Sequence, residues 1–170
     1  MIKTTARNLH KNIEPLSNMI GKWQGEGLVQ YPTMKQNVEY VEQLELEPLG
    51  EKPILRFSQK TVNKQTNTPL HVETGYLRLL PNQQVELCLA QPFGVCEILE
   101  GTWSTREDSS SVITLTSKAI TRCSSAKEPF VTQTKREFIL HGPQKLSYTF
   151  WMATTNTPDL TLHLTASLKQ

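Results

Sequence analysis

Residues 157–170 read TPDLTLHLTASLKQ, and their alternation sets the reading of the whole chain. With a period of two, Leu160, Leu162, Leu164, Ala166 and Leu168 share one face of a strand, and Thr161, His163, Thr165, Ser167 and Lys169 share the other. Working back from this strand, the same alternation, or a run rich in β-branched and aromatic residues, recurs at short intervals. It covers 23–30, 37–46, 54–61, 71–79, 85–90, 95–103, 111–118, 131–140 and 146–153 before closing at 160–168. Turn-forming strings separate these segments: LPNQQ at 80–84, REDSSS at 106–111 and HGPQK at 141–145. No long amphipathic helical pattern interrupts the series, which argues against βαβ units. Only NIEPLSNMIG at 12–21 reads as a turn or two of helix, placed to plug one end. About ten strands at hairpin spacing predict an all-β fold, an antiparallel up-and-down barrel, because closure removes the edges that an open sheet must protect. A barrel of that size is wider than side chains alone can fill, so a cavity is expected.

The bulk properties narrow the function classes. The chain has 170 residues, a length that suits one domain over 1–170, with residues 1–12 as a loose arm. Its 18 Lys and Arg nearly balance 16 Asp and Glu, and no basic run interleaves with aromatics, so nucleic acid is not an expected partner. No stretch of about 18 apolar residues exists to span a membrane as a helix. The opening MIKTTARNLHKNIEP lacks the apolar core and cleavage site of a secretory signal. Cys88, Cys96 and Cys123 form no close pair and no metal spacing. An odd count of this kind fits reduced, half-buried thiols and a cytoplasmic location.

Several strings then carry a resemblance. GKWQGEG at 21–27 puts glycines where a strand bends at a barrel corner and a tryptophan where it can close the base, and YPT follows at 31–33. PLHVETGYLR occupies 69–78, AQPFGVCEILEG 90–101, AKEP 126–129, MATT 152–155 and HL 163–164. Together, in this order, they resemble the nitrobindins, small haem-binding barrels that also form the C-terminal domain of a THAP-type zinc-finger protein. The resemblance runs over almost the whole chain. It implies a barrel of approximately ten antiparallel strands holding one b-type haem at its open end. It also implies nitric oxide binding at ferric iron and isomerisation of peroxynitrite to nitrate.

Carried onto this sequence, the resemblance makes His163 the axial iron ligand and His71 a distal candidate. Thr33 and Lys127 become candidate partners of the haem propionates. Each has a plainer reading beside it. A strand histidine flanked by threonines is often merely half-exposed, although neutral imidazole is a common iron ligand. Lys127 in a loop and Thr33 in a turn are ordinary solvated residues unless a carboxylate lies near. Glu73 is in period with His71, so the two share a face. Arg78 and Arg136 read as stacking or cross-strand pairing residues. If His163 points inward, Thr161 and Thr165 line the pocket and the leucine face points outward, which calls for cover by the N-terminal segment or a weak homodimer. The competing function is a fatty-acid-binding or lipocalin-like carrier of an apolar small molecule. Such carriers clamp a carboxylate with an Arg-x-Tyr pair on the last strand, and this last strand has neither residue. A sensor acting through a partner protein is a third reading.

Overall fold

The computed structural model describes residues 9–170. Residues 1–8 of the expected N-terminal arm lie outside the described residues, while Leu9 packs against the core and the Asn12 amide donates to the Leu79 carbonyl at 3.0 Å. Ten strands follow: β1 Gly21–Val29, β2 Val38–Pro48, β3 Ile54–Asn63, β4 Pro69–Leu79, β5 Gln84–Gln91, β6 Val95–Thr105, β7 Ser111–Arg122, β8 Val131–Leu140, β9 Lys145–Thr154 and β10 Thr157–Lys169. Each pairs antiparallel with its neighbours in sequence, and β1 pairs with β10 to close the barrel.

The inward phase of each strand builds the interior in two tiers. At one end it is apolar, with Leu44 and Leu46 on β2, Leu55 and Phe57 on β3, and Leu77 and Leu79 on β4 all buried. This end is sealed by a short 3₁₀ helix, Glu14–Met19, which buries Leu16 and Met19 and leads directly into β1. Trp23 is fully buried beneath it and donates its indole N–H to the Met19 carbonyl at 2.9 Å. The expected plug and its tryptophan are therefore both present. Gly25 lets β1 run tight against β10, since a Cβ there would fall 2.0 Å from the Ser167 carbonyl oxygen.

Two expectations need correction. Cys88, Cys96 and Cys123 are exposed rather than half-buried, because Cys88 and Cys96 occupy the outward phase of β5 and β6. The leucines of β10 do not form an outward stripe. Leu164 lines the interior, Ala166 and Leu168 are buried, and only Leu160 is exposed. The apolar stripe that called for a covering homodimer shrinks to Leu160 and the half-buried Leu162. Among the described residues no helix is long and apolar enough to cross a membrane.

Candidate functional site

The end of the barrel opposite the plug is open to a cavity of about 370 Å³, within the range of small-molecule and cofactor sites. Its walls come from the C-terminal ends of the odd-numbered strands and the N-terminal parts of the even-numbered ones. Val29, Val38, Val95, Ile120 and Val131 give it a largely apolar rim.

His163 reaches this cavity through a β-bulge. In the β9–β10 ladder Leu162 faces Trp151 and Leu164 faces Phe150, so His163 is an extra residue with no partner on β9. The bulge resets the phase: His163 and the next residue, Leu164, both line the cavity, which strict alternation forbids. This is why a histidine face and a leucine face can both point inward on one strand. Thr165 instead turns outward and is exposed, and the Thr161 hydroxyl donates to the Asp159 carbonyl, so neither joins the cavity lining.

The imidazole is held from two sides. Tyr31 stands edge-on with ring centroids 5.3 Å apart, and Phe150 does so at 5.7 Å. The Tyr31 hydroxyl is itself fixed by donating to the Met152 carbonyl at 3.1 Å. Burial, with a smaller push from His71, holds the His163 pKa below the ordinary histidine value, partly offset by the Gln30 backbone. The ring is therefore neutral at pH 7 and retains a lone pair. Its Nδ1 is buried without any hydrogen-bond partner, an unusual condition for a buried polar atom.

Deeper in the barrel the inward phase turns polar. On one wall Arg136 of β8 donates from both terminal nitrogens to Glu73 of β4, one bond measuring 2.9 Å, and one of those nitrogens also lies 3.3 Å from Glu97 of β6. Thr134 donates its hydroxyl to Glu97, and His71 Nε2 sits 3.1 Å from Glu73. Burial alone pushes the Glu73 carboxyl up, but Arg136 and His71 outweigh it and bring the pKa down to about 2. On the adjoining floor Glu42 accepts from Tyr148 at 2.7 Å and from Gln59 at 2.7 Å. Here burial wins over those hydrogen bonds and pushes the Glu42 carboxyl up to about 7. Tyr40 completes this floor beside Tyr148, in space that Gly27 leaves open.

The structure thus brings His163, His71 and Glu73 to one cavity, as their phases indicate. Thr33 and Lys127 are exposed, in the turn after β1 and in the β7–β8 loop, at the same end of the barrel but outside the cavity lining. Arg78 pairs with Glu86 on the outer surface at 2.6 Å, whereas Arg136 is a buried wall residue that pairs with Glu73 and lies over the Phe150 ring. Glu42, Gln59, Glu97, Thr134 and Tyr148 escape the sequence reading. Their signal was there: each is a polar residue in the inward phase of a strand whose inward phase is apolar toward the plugged end.

A family model described as the THAP4-like, heme-binding beta-barrel domain matches residues 12–170. The chain belongs to this family. It is 40% identical to peroxynitrite isomerase 2 of Mycobacterium ulcerans over 165 residues, 96% of this chain and 97% of that protein. It is 38% identical to rat peroxynitrite isomerase THAP4 over 95% of its own length, but spans only 28% of that longer protein. Among solved structures, Rv2717c from M. tuberculosis superposes with a TM-score of 0.87 at 36% identity, covering 96% of this chain and 99% of that one.

The residues present fit the group the family is named for. A flat macrocycle needs an apolar slot open on one side, and the rim supplies it. Its iron needs a neutral imidazole with a free lone pair, and His163 supplies that on a strand held by two aromatic rings.

Proposed function

We propose that this chain holds one b-type haem through His163 and isomerises peroxynitrite to nitrate. The observation that carries the reading is the bulge-borne imidazole of His163, neutral, cavity-facing and with a buried nitrogen that no group of the chain satisfies. The names of the relatives that match nearly all of this chain support the choice of substrate.

When bound, ferric haem supplies the chemistry that rearranges the peroxide bond, and the same iron is the site for nitric oxide. The chain's own part is to bind, orient and exclude water. His163 fixes the metal centre, with Phe150 and Tyr31 limiting the ring's rotation. The apolar rim keeps solvent from the reacting face. His71, tied to Glu73, is the distal candidate: its hydrogen bond fixes the ring orientation at the edge of the cavity. Thr33 and Lys127, free at the open end, are placed to meet propionates that project toward solvent. Three exposed thiols with no disulfide suit a reducing, cytoplasmic setting.

The carrier reading is disfavoured by Arg136. It is the cavity-lining arginine available to clamp a fatty-acid carboxylate, and both of its terminal nitrogens are already engaged by Glu73 and Glu97.

Titration with hemin tests the proposal. The wild type should bind one equivalent with a sharp Soret band that moves on adding nitric oxide, and the loaded protein should speed peroxynitrite decay. His163→Ala should lose both while keeping the barrel's circular dichroism, at a stability cost of about 1–2 kcal/mol. A His163→Ala protein with the wild-type spectrum and decay rate would falsify the assignment.

A further inference from the structure

The polar floor of the cavity holds a group that binding a macrocycle does not need. Glu42 is fully buried, and both side chains bonded to it are neutral: the Tyr148 hydroxyl donates to one oxygen at 2.7 Å and the Gln59 amide to the other at 2.7 Å. A buried carboxyl without a cation is costly, and a glutamine at position 42 could accept from the same phenol without the charge. The Gln59 amide nitrogen also donates to the Tyr148 oxygen at 2.6 Å, so that oxygen is held from both sides. Tyr40 stands next in line, its hydroxyl 3.4 Å from that of Tyr148.

A phenol resists oxidation while it keeps its proton, because the radical cation it would become is a strong acid. A carboxylate in line with the O–H removes that obstacle: the electron leaves while the proton crosses the 2.7 Å bond to Glu42. Gln59 still donates to the oxygen that has lost its proton, so little has to rearrange. Tyr31 and Tyr76 lack this arrangement. The Tyr31 hydroxyl donates to the Met152 carbonyl, which is no base, and Tyr76 lies on the outer wall, 49% exposed. Tyr148 is also placed to meet an oxidant, because it lines the cavity that His163 faces.

We propose that Tyr148, with Glu42 as its proton acceptor and Gln59 as its clamp, is a sacrificial one-electron donor to nitrogen dioxide that escapes recombination inside the barrel. The inference rests on the haem and peroxynitrite reading above, since breaking the peroxide bond of peroxynitrite is what supplies nitrogen dioxide there. In the first step the Tyr148 phenol gives one electron to nitrogen dioxide, which leaves as nitrite, and its proton passes to the Glu42 carboxylate. The phenoxyl radical then couples with a second nitrogen dioxide at the ring carbon beside the oxygen. A C–N bond forms, the proton on that carbon moves to the oxygen, and 3-nitrotyrosine results.

The test treats hemin-loaded wild type, Tyr148→Phe, Glu42→Gln and the outer-wall control Tyr76→Phe with peroxynitrite, with excess glutathione to consume oxidant in bulk solution. The pH is 8, above the value of about 7 to which burial raises the Glu42 carboxyl. Freeze-quench electron paramagnetic resonance reads the phenoxyl radical, and peptide mass spectrometry reads the nitrated residue. The wild type should show a phenoxyl signal and nitration at Tyr148 but not at Tyr76. Tyr148→Phe should lose the signal, Glu42→Gln should slow the step by about a hundredfold and lower both readouts, and Tyr76→Phe should change neither. A Glu42→Gln protein that loads hemin and keeps the wild-type signal overturns the proposal. A wild type that loads hemin and speeds peroxynitrite decay with Tyr148 untouched overturns this proposal alone, whereas one that takes up no hemin overturns the haem reading with it. If Glu42→Gln does not fold, the contrast between Tyr148 and Tyr76 in the wild type decides by itself.

Discussion

His163 and Lys127 are both assigned to hold the same group, yet their surroundings give them different weights. His163 is largely enclosed and has an unsatisfied nitrogen, so whatever it ligates gains an interaction that no water can easily replace. Lys127 stands in solvent, where an ion pair is worth about 1 kcal/mol or less. Replacing both rim residues, Lys127→Ala with Thr33→Ala, should therefore quicken hemin dissociation by about tenfold or less and leave the Soret maximum in place. Stopped-flow transfer of hemin to an excess of an apo-globin acceptor measures this. Unchanged dissociation in the double variant removes both residues from the site.

At the scale of the strand, two features of β1 and β10 decide what the cavity contains. The strand positions were legible because period-two alternation and turn residues are local signals, and His71 with Glu73 followed from phase alone. The bulge was not legible. A bulge is a mismatch between two strands, and nothing in TLHLTA says which residue loses its partner; strict alternation then sent Leu164 and Leu168 to the wrong face. Glu42 was missed, and Arg136 was read only as a pairing residue, for a related reason: a charge in an inward phase has no evident role until its partners on other strands are known. Gly27 shows how tightly these elements are fitted. A Cβ there would fall 2.2 Å from Cζ and 2.3 Å from the hydroxyl oxygen of Tyr40. Gly27→Ala should thus cost about 2–3 kcal/mol by overpacking, read as a lower urea midpoint at constant m-value. In a Tyr40→Leu background, where the ring is gone, the same substitution should cost about 1 kcal/mol less or better. A cost that does not depend on residue 40 would place the strain elsewhere.

For the molecule as a whole, burying ionisable groups inside a small barrel couples its stability to pH in opposing directions. Glu73 has a folded pKa of about 2 against an ordinary 4.5, so its contribution is present above 4.5 and is lost as pH falls toward 2. Glu42 runs the other way. Its folded pKa is about 7 against 4.5, so the folded state binds the extra proton between those values and stability falls as pH rises through that window. His163, held below the usual histidine value, adds stability as pH rises toward the ordinary histidine range and so blunts the Glu42 slope. The wild-type profile is the sum of all three, and the difference between wild type and Glu42→Gln isolates one. Glutamine cannot titrate and still offers one acceptor, so the variant should lose ground at pH 4.5 and gain it at pH 8. The stability difference between the two proteins should swing by about 3 kcal/mol in favour of Glu42→Gln across that interval. Urea denaturation of the haem-free proteins at pH 4.5, 6 and 8 supplies the numbers. A difference that stays flat with pH would mean that Glu42 is ionised throughout in the folded barrel, with Tyr148 and Gln59 fully offsetting its burial.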